Sequence, residues 1–360
     1  MHKSCKYIYN SSYYISFKES MTTLVRTIPL LMSRPRIINF ELMLVIKKGI
    51  YGVSNNEVVD KQYSNLEKQV GAQYGNASII TMLSNLPLEE IDFLHNRDYA
   101  LDHFKKGVDF ARRLPVGNRR VLTFHLNSLV SPEEFKGKMQ EQWYEEFEKS
   151  GMGRSLGNAN EYAKDHGVEI LIESVPLPEF GDVEENDERT YRNVKFRDLR
   201  NPFYMYHDSY IWNEVKRLGL GICLDLCHNR TLLWEAFDKS SEVLFKVDSD
   251  NISERIEHSV QGISSREGYK ELSYDVLSLN PRTDLVHLND GAGKYTPKGG
   301  VFLEGVALGD GDIIEKREII NIINKRRIPF VFEINETDFA NRPNTKKSIE
   351  YVLQAKQDDF

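Results

Sequence analysis

The sequence predicts a (β/α)8 barrel, an α/β fold of eight strands and roughly eight helices in alternation, and three observations carry that reading. Four apolar runs in the second half end in metal-binding side chains: GVEILIES at Glu173, GICLDLCH at Asp225 and His228, DLVHLND at His287 and Asp290, PFVFEIN at Glu333. Each run has the length of a buried strand and is bounded by Gly, Pro or Asn. Helical stretches separate them, which favours a parallel sheet covered by helices, with the polar groups at its strand ends gathered in one mouth. A chain of 360 residues with 40% hydrophobic content can bury one large core, so residues 1–360 read as a single barrel domain with insertions.

KYIYNSSYYISF, rich in Tyr and Ile, reads as the first strand with its exit loop, and a helical stretch from Lys18 to Met32 follows, interrupted by Pro29. RIINFELML, residues 36–44, supplies the second strand and places Glu41 within or at its end. Helical spacing from Glu57 to Gln73 leads to ASIITMLSN, the third strand. The apolar positions Leu101, Phe104, Val108, Phe110 and Ala111 make one helix face, and RRVLTFHLN follows as the fourth strand, ending in His125 and Asn127. A long charged helical region from Pro132 to His166 stops at Gly167, a good C-cap, and the fifth strand starts at Val168. The stretch 176–202 is charged and broken by prolines, the composition of a lid-like insertion. A helix over Ile211 to Leu218 precedes the sixth strand, GLGICLDLCHN, and helices around a polar insertion near 247–268 precede the seventh, DLVHLND. The helix Ile313 to Lys325, the eighth strand PFVFEIN and a closing helix Lys346 to Lys356 complete the count.

Forty-seven Lys and Arg against 54 Asp and Glu give a net charge of −7, with no basic run of five or more, which disfavours a nucleic-acid partner. Cys5, Cys223 and Cys227 are too few and too odd in number for a disulfide framework and suit a reducing, cytoplasmic setting. No run of eighteen apolar residues and no signal-type h-region occurs, so no membrane partner is expected.

Three carboxylates and an imidazole converging at one mouth would repel and desolvate one another unless a divalent cation neutralised them. Glu173, Asp225, His287 and Glu333 form an oxygen-rich set with one nitrogen, suited to Mn2+, Mg2+ or Co2+, with Zn2+ acceptable. A lone strand-end glutamate is more often solvated or salt-bridged than functional; four ligand types ending successive strands are harder to obtain by chance.

From about Arg119 to Glu333 the chain resembles the xylose isomerase-like TIM barrels, the superfamily of sugar phosphate isomerases and epimerases that also holds endonuclease IV. The most specific pieces are ILIES, CLDLCHN, HLNDG with the later GDGDI, and FEIN. The isomerase branch implies one divalent metal on Glu173, Asp225, His287 and Glu333, the two glutamates as acid and base, and His228 on substrate oxygens. It implies a small carbohydrate substrate, isomerised or epimerised through a metal-stabilised enediolate, and a homo-oligomer, since dimers and tetramers are common there. Endonuclease IV, an AP endonuclease and metal-dependent phosphodiesterase, is the competitor. His125, Glu173, Asp225, His228, His287 and Glu333 match its ligand set, but Ile79, Leu303 and Gly305 stand where three further ligands are expected, with Glu304 a candidate substitute. Inosose-type dehydratases resemble the isomerases at the metal and form the third alternative.

The remaining positions each carry a bland reading beside the functional one. His125 is a substrate contact at the mouth or a packed, hydrogen-bonded histidine. His228 is a substrate contact ahead of a core group. Lys294 meets an anionic group on the substrate or is solvated on a Gly-rich loop. Asn289 and Asp290 form a turn and orient the His287 imidazole. Asp312 is expected to cap the following helix, and Cys223 and Cys227 to share Asp225's side of the strand, Cys223 deeper, as packing groups.

Overall fold

Seven parallel strands lie side by side in the order in which the chain makes them, and the sheet curls until its first and last strands meet. This computed structural model describes residues 39–44, 78–83, 92–112, 120–138, 140–175, 190–195, 199–230, 272–292, 303–311, 313, 315–336, 338 and 343–357. The strands of the main sheet are β1 (Asn39–Leu44), β2 (Ser78–Leu83), β3 (Arg120–His125), β4 (Glu169–Glu173), β7 (Gly221–Asp225), β8 (Leu285–His287) and β11 (Phe330–Val331). They correspond to the second through eighth expected strands of an α/β barrel. The expected first strand, the helices Lys18–Met32 and Glu57–Gln73, the insertion near 247–268 and Lys294 lie outside the described residues.

Helices α1 (Arg97–Ala111), α2 (Pro132–Gly137), α3 (Gln140–Lys149), α4 (Met152–Asp165), α5 (Tyr210–Arg217), α6 (Leu272–Leu277), α7 (Lys316–Arg326) and α8 (Pro343–Gln357) alternate with the strands. The charged helical region expected from Pro132 to His166 is built of three helices, α2 to α4. Gly151, at φ 73°, breaks the last two apart in a left-handed turn. Ser131 starts α2 with a reciprocal capping box to Glu134, and Pro132 sits where no intrahelical donor is lost.

The turns that feed strands from helices share one device. Val168 N–H donates to Ala163 O across Gly167, and Leu220 N–H donates to Val215 O across Gly219, both glycines at φ 68°. Arg327 makes the same left-handed turn after α7, with Ile328 N–H on Ile323 O. Each turn reverses the chain so that an apolar run enters the sheet directly. On α4, Met152, Leu156, Ala159 and Ala163 form the buried stripe that packs on the sheet.

Side chains on the strands alternate between two apolar regions. Outward positions such as Leu122, Phe124, Ile170, Ile172, Ile222, Leu224 and Val286 join the helix faces in the main core, with Phe104 fully buried among them. Inward positions Val121, Leu171, Cys223, Leu285 and Val331 form a second, small cluster inside the curl. Truncating Phe104 to Ala would cost roughly 3–5 kcal/mol at such a site. Gly221 allows β7 to lie tight on the start of β8, since a Cβ there would stand 2.4 Å from Thr283 O. The buried Asp284 carboxylate closes that corner, accepting from Ile222 N–H at 3.0 Å, Asn280 N–H at 2.7 Å and the Lys216 ammonium.

Three strand ends differ from expectation. The sixth expected strand stops at Asp225, and residues 226–230 are already helical, so Cys227 and His228 stand on a helical turn. The seventh stops at His287; Asp290–Ala292 instead forms β9, antiparallel to β10 (Leu303–Val306). The eighth is paired only over Phe330–Val331, which leaves Glu333 on irregular backbone two residues past it. Helix α7 begins at Lys316 with Glu315 at its N-cap, and Asp312, the expected cap, lies outside the described residues. Asp290 organises the loop before the helix. Its buried carboxylate accepts from the N–H groups of Gly309, Gly311 and Ile313 at 3.1–3.2 Å and from Lys316 Nζ at 2.9 Å. Asp290 therefore holds the loop into α7 and does not orient the His287 imidazole. A Cβ on Gly311 would lie 2.3 Å from Asp290 Oδ1, the reason for a glycine there.

Candidate metal centre

Glu173, Asp225 and His287 end three adjacent parallel strands, and Glu333 follows the fourth, β11. One ligand atom from each of the four lies within 4.8 Å of all the others. His287 Nδ1 is central. It stands 2.7 Å from Glu333 Oε2, 3.2 Å from Glu173 Oε1 and 3.6 Å from Asp225 Oδ2. Glu173, Asp225 and His287 are fully buried, while about a third of the Glu333 side chain (31%) reaches solvent, though its Oε2 does not.

The electrostatics follow from burial against imidazole. Loss of water raises the Glu173 pKa, but His287 and His125 outweigh it and hold the carboxyl well below the ordinary glutamate range. Asp225 is likewise lowered, burial being overcome by His228 and His287. Glu333 goes the other way: desolvation, only partly offset by His287, lifts it to about 7. Burial lowers the His228 pKa, yet the carboxylates of Asp225, Glu304 and Glu173 raise it overall.

This donor set fits a hard divalent cation. Three carboxylates packed around one nitrogen, with Glu173 Oε2 buried and lacking any hydrogen-bond partner, leave lone pairs that a cation would satisfy. Around a cation at 2.0–2.2 Å, ligand atoms stand about 3–3.5 Å apart, close to the spacings seen here.

The supporting contacts were only partly expected. Asp225 is gripped on both oxygens: Oδ1 accepts the His228 N–H at 2.8 Å, and Oδ2 accepts Asn289 Nδ2 at 2.7 Å. Asn289 Oδ1 also accepts the Cys227 N–H at 3.0 Å, so Asn289 orients Asp225 rather than the His287 ring. Ser174, the last residue of ILIES but given no role there, accepts the Asp225 N–H on Oγ at 3.0 Å and the His228 Nδ1–H on its carbonyl at 2.7 Å. Its only sequence signal is its place after Glu173.

His125 joins the site. Its Nε2 is 3.2 Å from Glu173 Oε1, its ring meets His228 edge to face at 5.5 Å, and His125, Glu173 and His228 make a second three-ligand cluster. Glu304 belongs to none of the ligand clusters among the described residues.

Part of the expected lid is described. Thr190–Tyr191 (β5) and Val194–Lys195 (β6) form a short hairpin. Tyr191 donates its hydroxyl to the buried Asp92 Oδ2 at 2.8 Å, and Arg192 Nη2 pairs with Glu134 Oε1 at 3.3 Å. Asp92 also holds His95 Nδ1 at 2.7 Å, a role that sequence spacing did not reveal. Backbone bonds between Val130 and Arg200 fasten the segment beyond the hairpin beside the end of β3.

No helix among the described residues is long and apolar enough to cross a membrane. No family model matches this chain, and no curated protein matches it. Solved structures do. A sugar phosphate isomerase/epimerase, described as putative, from Anabaena variabilis is 14% identical, with 94% of this chain and 92% of that one covered and a TM-score of 0.48. D-allulose 3-epimerase from Methylomonas sp. is 12% identical, with 95% and 92% covered and a TM-score of 0.48. A xylose isomerase-like TIM barrel protein from Mycobacterium smegmatis, in complex with magnesium, is 12% identical, with 92% and 86% covered and a TM-score of 0.43. Likenesses at this level assign no chemistry to this chain.

Proposed function

We propose that this chain is a divalent-metal-dependent isomerase or epimerase of a small polyhydroxylated carbonyl compound, a sugar, keto sugar or sugar phosphate. One observation carries the reading: Glu173, Asp225, His287 and Glu333 bring four ligand atoms within 4.8 Å at the carboxyl ends of neighbouring parallel strands. Those four residues would hold Mn2+, Mg2+ or Co2+, with Zn2+ acceptable, and the bound cation would polarise the substrate carbonyl and neighbouring hydroxyl.

The chain's own groups account for the proton. A C–H beside a carbonyl is weakly acidic, so a carboxylate must stand ready on one face and a proton donor on the other. Glu173 stays ionised in the metal-free site, and its carboxylate would take the proton. Glu333, whose side chain partly reaches solvent beside His287, would return it. The two approach His287 Nδ1 from different strands, which gives two sides to the reaction space. His228 and His125 would bind substrate oxygens, and Lys294 an anionic substituent. The hairpin at 190–195 would form part of a cover that excludes water.

The deciding experiment is metal analysis of purified protein, then NMR in deuterated water with a panel of keto sugars and their phosphates. One exchangeable Mn2+ or Mg2+ per chain and deuterium at a single carbon support the reading; loss of water would make the enzyme a dehydratase of inosose type. No exchange with any substrate, metal being bound, removes it. The second cluster, His125, Glu173 and His228, favours one other reading, a multinuclear endonuclease IV-like phosphodiesterase. Three tightly held Zn2+ with cleavage of an abasic duplex would replace the isomerase.

A further inference from the structure

Cys223 lies level with Glu173, not with Asp225. In the parallel ladder Glu173 pairs with Cys223, Cys223 with Leu285, and Asp225 with His287. Cys223 thus points into the curl one inward layer below Asp225, about 7 Å along the strand. Its Sγ, a Glu173 carboxylate oxygen and a His287 ring nitrogen all lie within 4.8 Å of one another, and all three residues are buried. Glu173 Oε2 is buried and without a hydrogen-bond partner, so this carboxylate has an acceptor to spare for a cation.

We propose that Cys223, Glu173 and His287 form a second, deeper cation position that takes thiophilic ions, Zn2+ or Cd2+, in place of the ion held by the oxygen-rich set. The inference rests on the preceding reading that Glu173 and His287 are metal ligands. Thiolate, imidazole and carboxylate are three protein ligands of the kind a tetrahedral zinc accepts, with the fourth place left to water, and about 1 Å of closure brings them to bonding range. As the metal–sulfur bond forms, the thiol proton passes to solvent. The charges then balance: one thiolate and one carboxylate against a dication leave a neutral site in an apolar layer lined by Val121, Leu171, Leu285 and Val331. The upper set places three carboxylates around one nitrogen and suits hard ions that prefer oxygen. Both positions need Glu173 and His287, so only one is filled at a time. An ion that takes Cys223, Glu173 and His287 as its ligands would leave Asp225 and Glu333 uncoordinated, and the bound metal's identity would decide whether the upper position is available.

The test uses the full chain stripped of metal. Cd2+ is titrated in while the ultraviolet charge-transfer band of a cadmium–thiolate bond is followed, and Mn2+ is followed by electron paramagnetic resonance. The expected result is a band saturating at one equivalent in the wild type and in Cys227→Ser, absent in Cys223→Ser, with Cd2+ expelling bound Mn2+ from the wild type. Cys223→Ser should still bind Mn2+ but take Cd2+ at least about tenfold more weakly. A band that survives Cys223→Ser, or Cd2+ and Mn2+ bound together by the wild type, overturns the proposal. Should Cys223→Ser fail to fold, cadmium NMR of the wild type reads the same point: a strongly downfield signal supports sulfur ligation, and an oxygen-type signal refutes it. Failure of the wild type to bind Mn2+ while the cadmium band appears would instead remove the oxygen-rich site.

Discussion

Asn289 donates Nδ2–H to Asp225 Oδ2 at 2.7 Å while its own Oδ1 accepts the Cys227 N–H at 3.0 Å. The amide thereby locks the Asp225 carboxylate against the helical turn that carries His228. Substitution of a residue that orients a metal ligand typically weakens metal affinity by about 10–100-fold. Asn289→Ala should therefore lose Mn2+ affinity in that range, measured by calorimetry, while Asn289→Asp, which puts a second anion against Asp225, should fare no better. Unchanged affinity in Asn289→Ala would show that Asp225 needs no such support.

Glu173→Gln and Glu333→Gln should each abolish turnover on the true substrate, because a neutral amide can neither take nor return the proton. A loss of about 10²–10⁴-fold in kcat is expected for a general acid or base. Mn2+ occupancy measured beside the rate separates lost metal from lost proton transfer. Near-native turnover in both variants would end the acid–base assignment.

Metal affinity should depend on pH through Glu333. Its carboxyl carries a proton below about 7 in the metal-free protein, and that proton must leave before the oxygen can coordinate. Apparent affinity should fall about tenfold per pH unit below that point and level off above it, while Glu173 and Asp225, both held low, stay ionised. The sign for stability is opposite. Metal-free folded protein binds this proton more tightly than the unfolded chain, whose glutamate titrates near 4.5, so its stability should drop as pH rises from 4.5 to about 7. Calorimetric titrations and urea unfolding in chelator across pH 5–8 check both, and Glu333→Gln should flatten both slopes.

Asp290→Ala should destabilise the fold by roughly 3–5 kcal/mol, since it orphans the buried N–H groups of Gly291 and Ile313, the partly buried ones of Gly309 and Gly311, and the Lys316 ammonium together. Urea unfolding reads the loss directly. A change below about 1 kcal/mol would mean that the Gly309–Gly311 loop is held by other contacts.

Tyr191→Phe removes the hydroxyl that ties the 190–195 hairpin to the buried Asp92. If that hairpin belongs to a cover, turnover should fall while Mn2+ affinity is kept, and protease should cut near the hairpin sooner. A variant with unaltered rate and cleavage would remove this contact from any closing function.

The strands bearing the site were readable because their signal is local. EILIE and GICLD are apolar runs of strand length bounded by turn residues, and the polar residue that ends each run is visible without any partner. The Gly167 turn was readable for the same reason, a backbone at φ 68° that favours glycine, while Gly219, at the same φ, turns the chain where the sixth strand was expected to have begun. The grip of Asp290 on Gly309, Gly311 and Ile313 was not readable, because no local pattern announces an acceptor some twenty residues earlier. The lengths of the last three strands were overestimated for a related reason. Hydrophobic runs continue past Asp225 and His287, but pairing stops where a helical turn and the β9–β10 hairpin begin.

The sequence alone picked out the four candidate ligand residues, Glu173, Asp225, His287 and Glu333, and the parallel arrangement of the strands that bear or precede them, because alternation and run length are properties of contiguous residues. Tertiary structure alone decided how those side chains stand against each other and against the rest. It set Cys223 beside Glu173, aimed Asn289 at Asp225, brought His125 to the site and raised the Glu333 pKa to about 7. Register between strands and the loss of water around a carboxyl arise from packing across the sheet, between residues that have no fixed spacing along the chain.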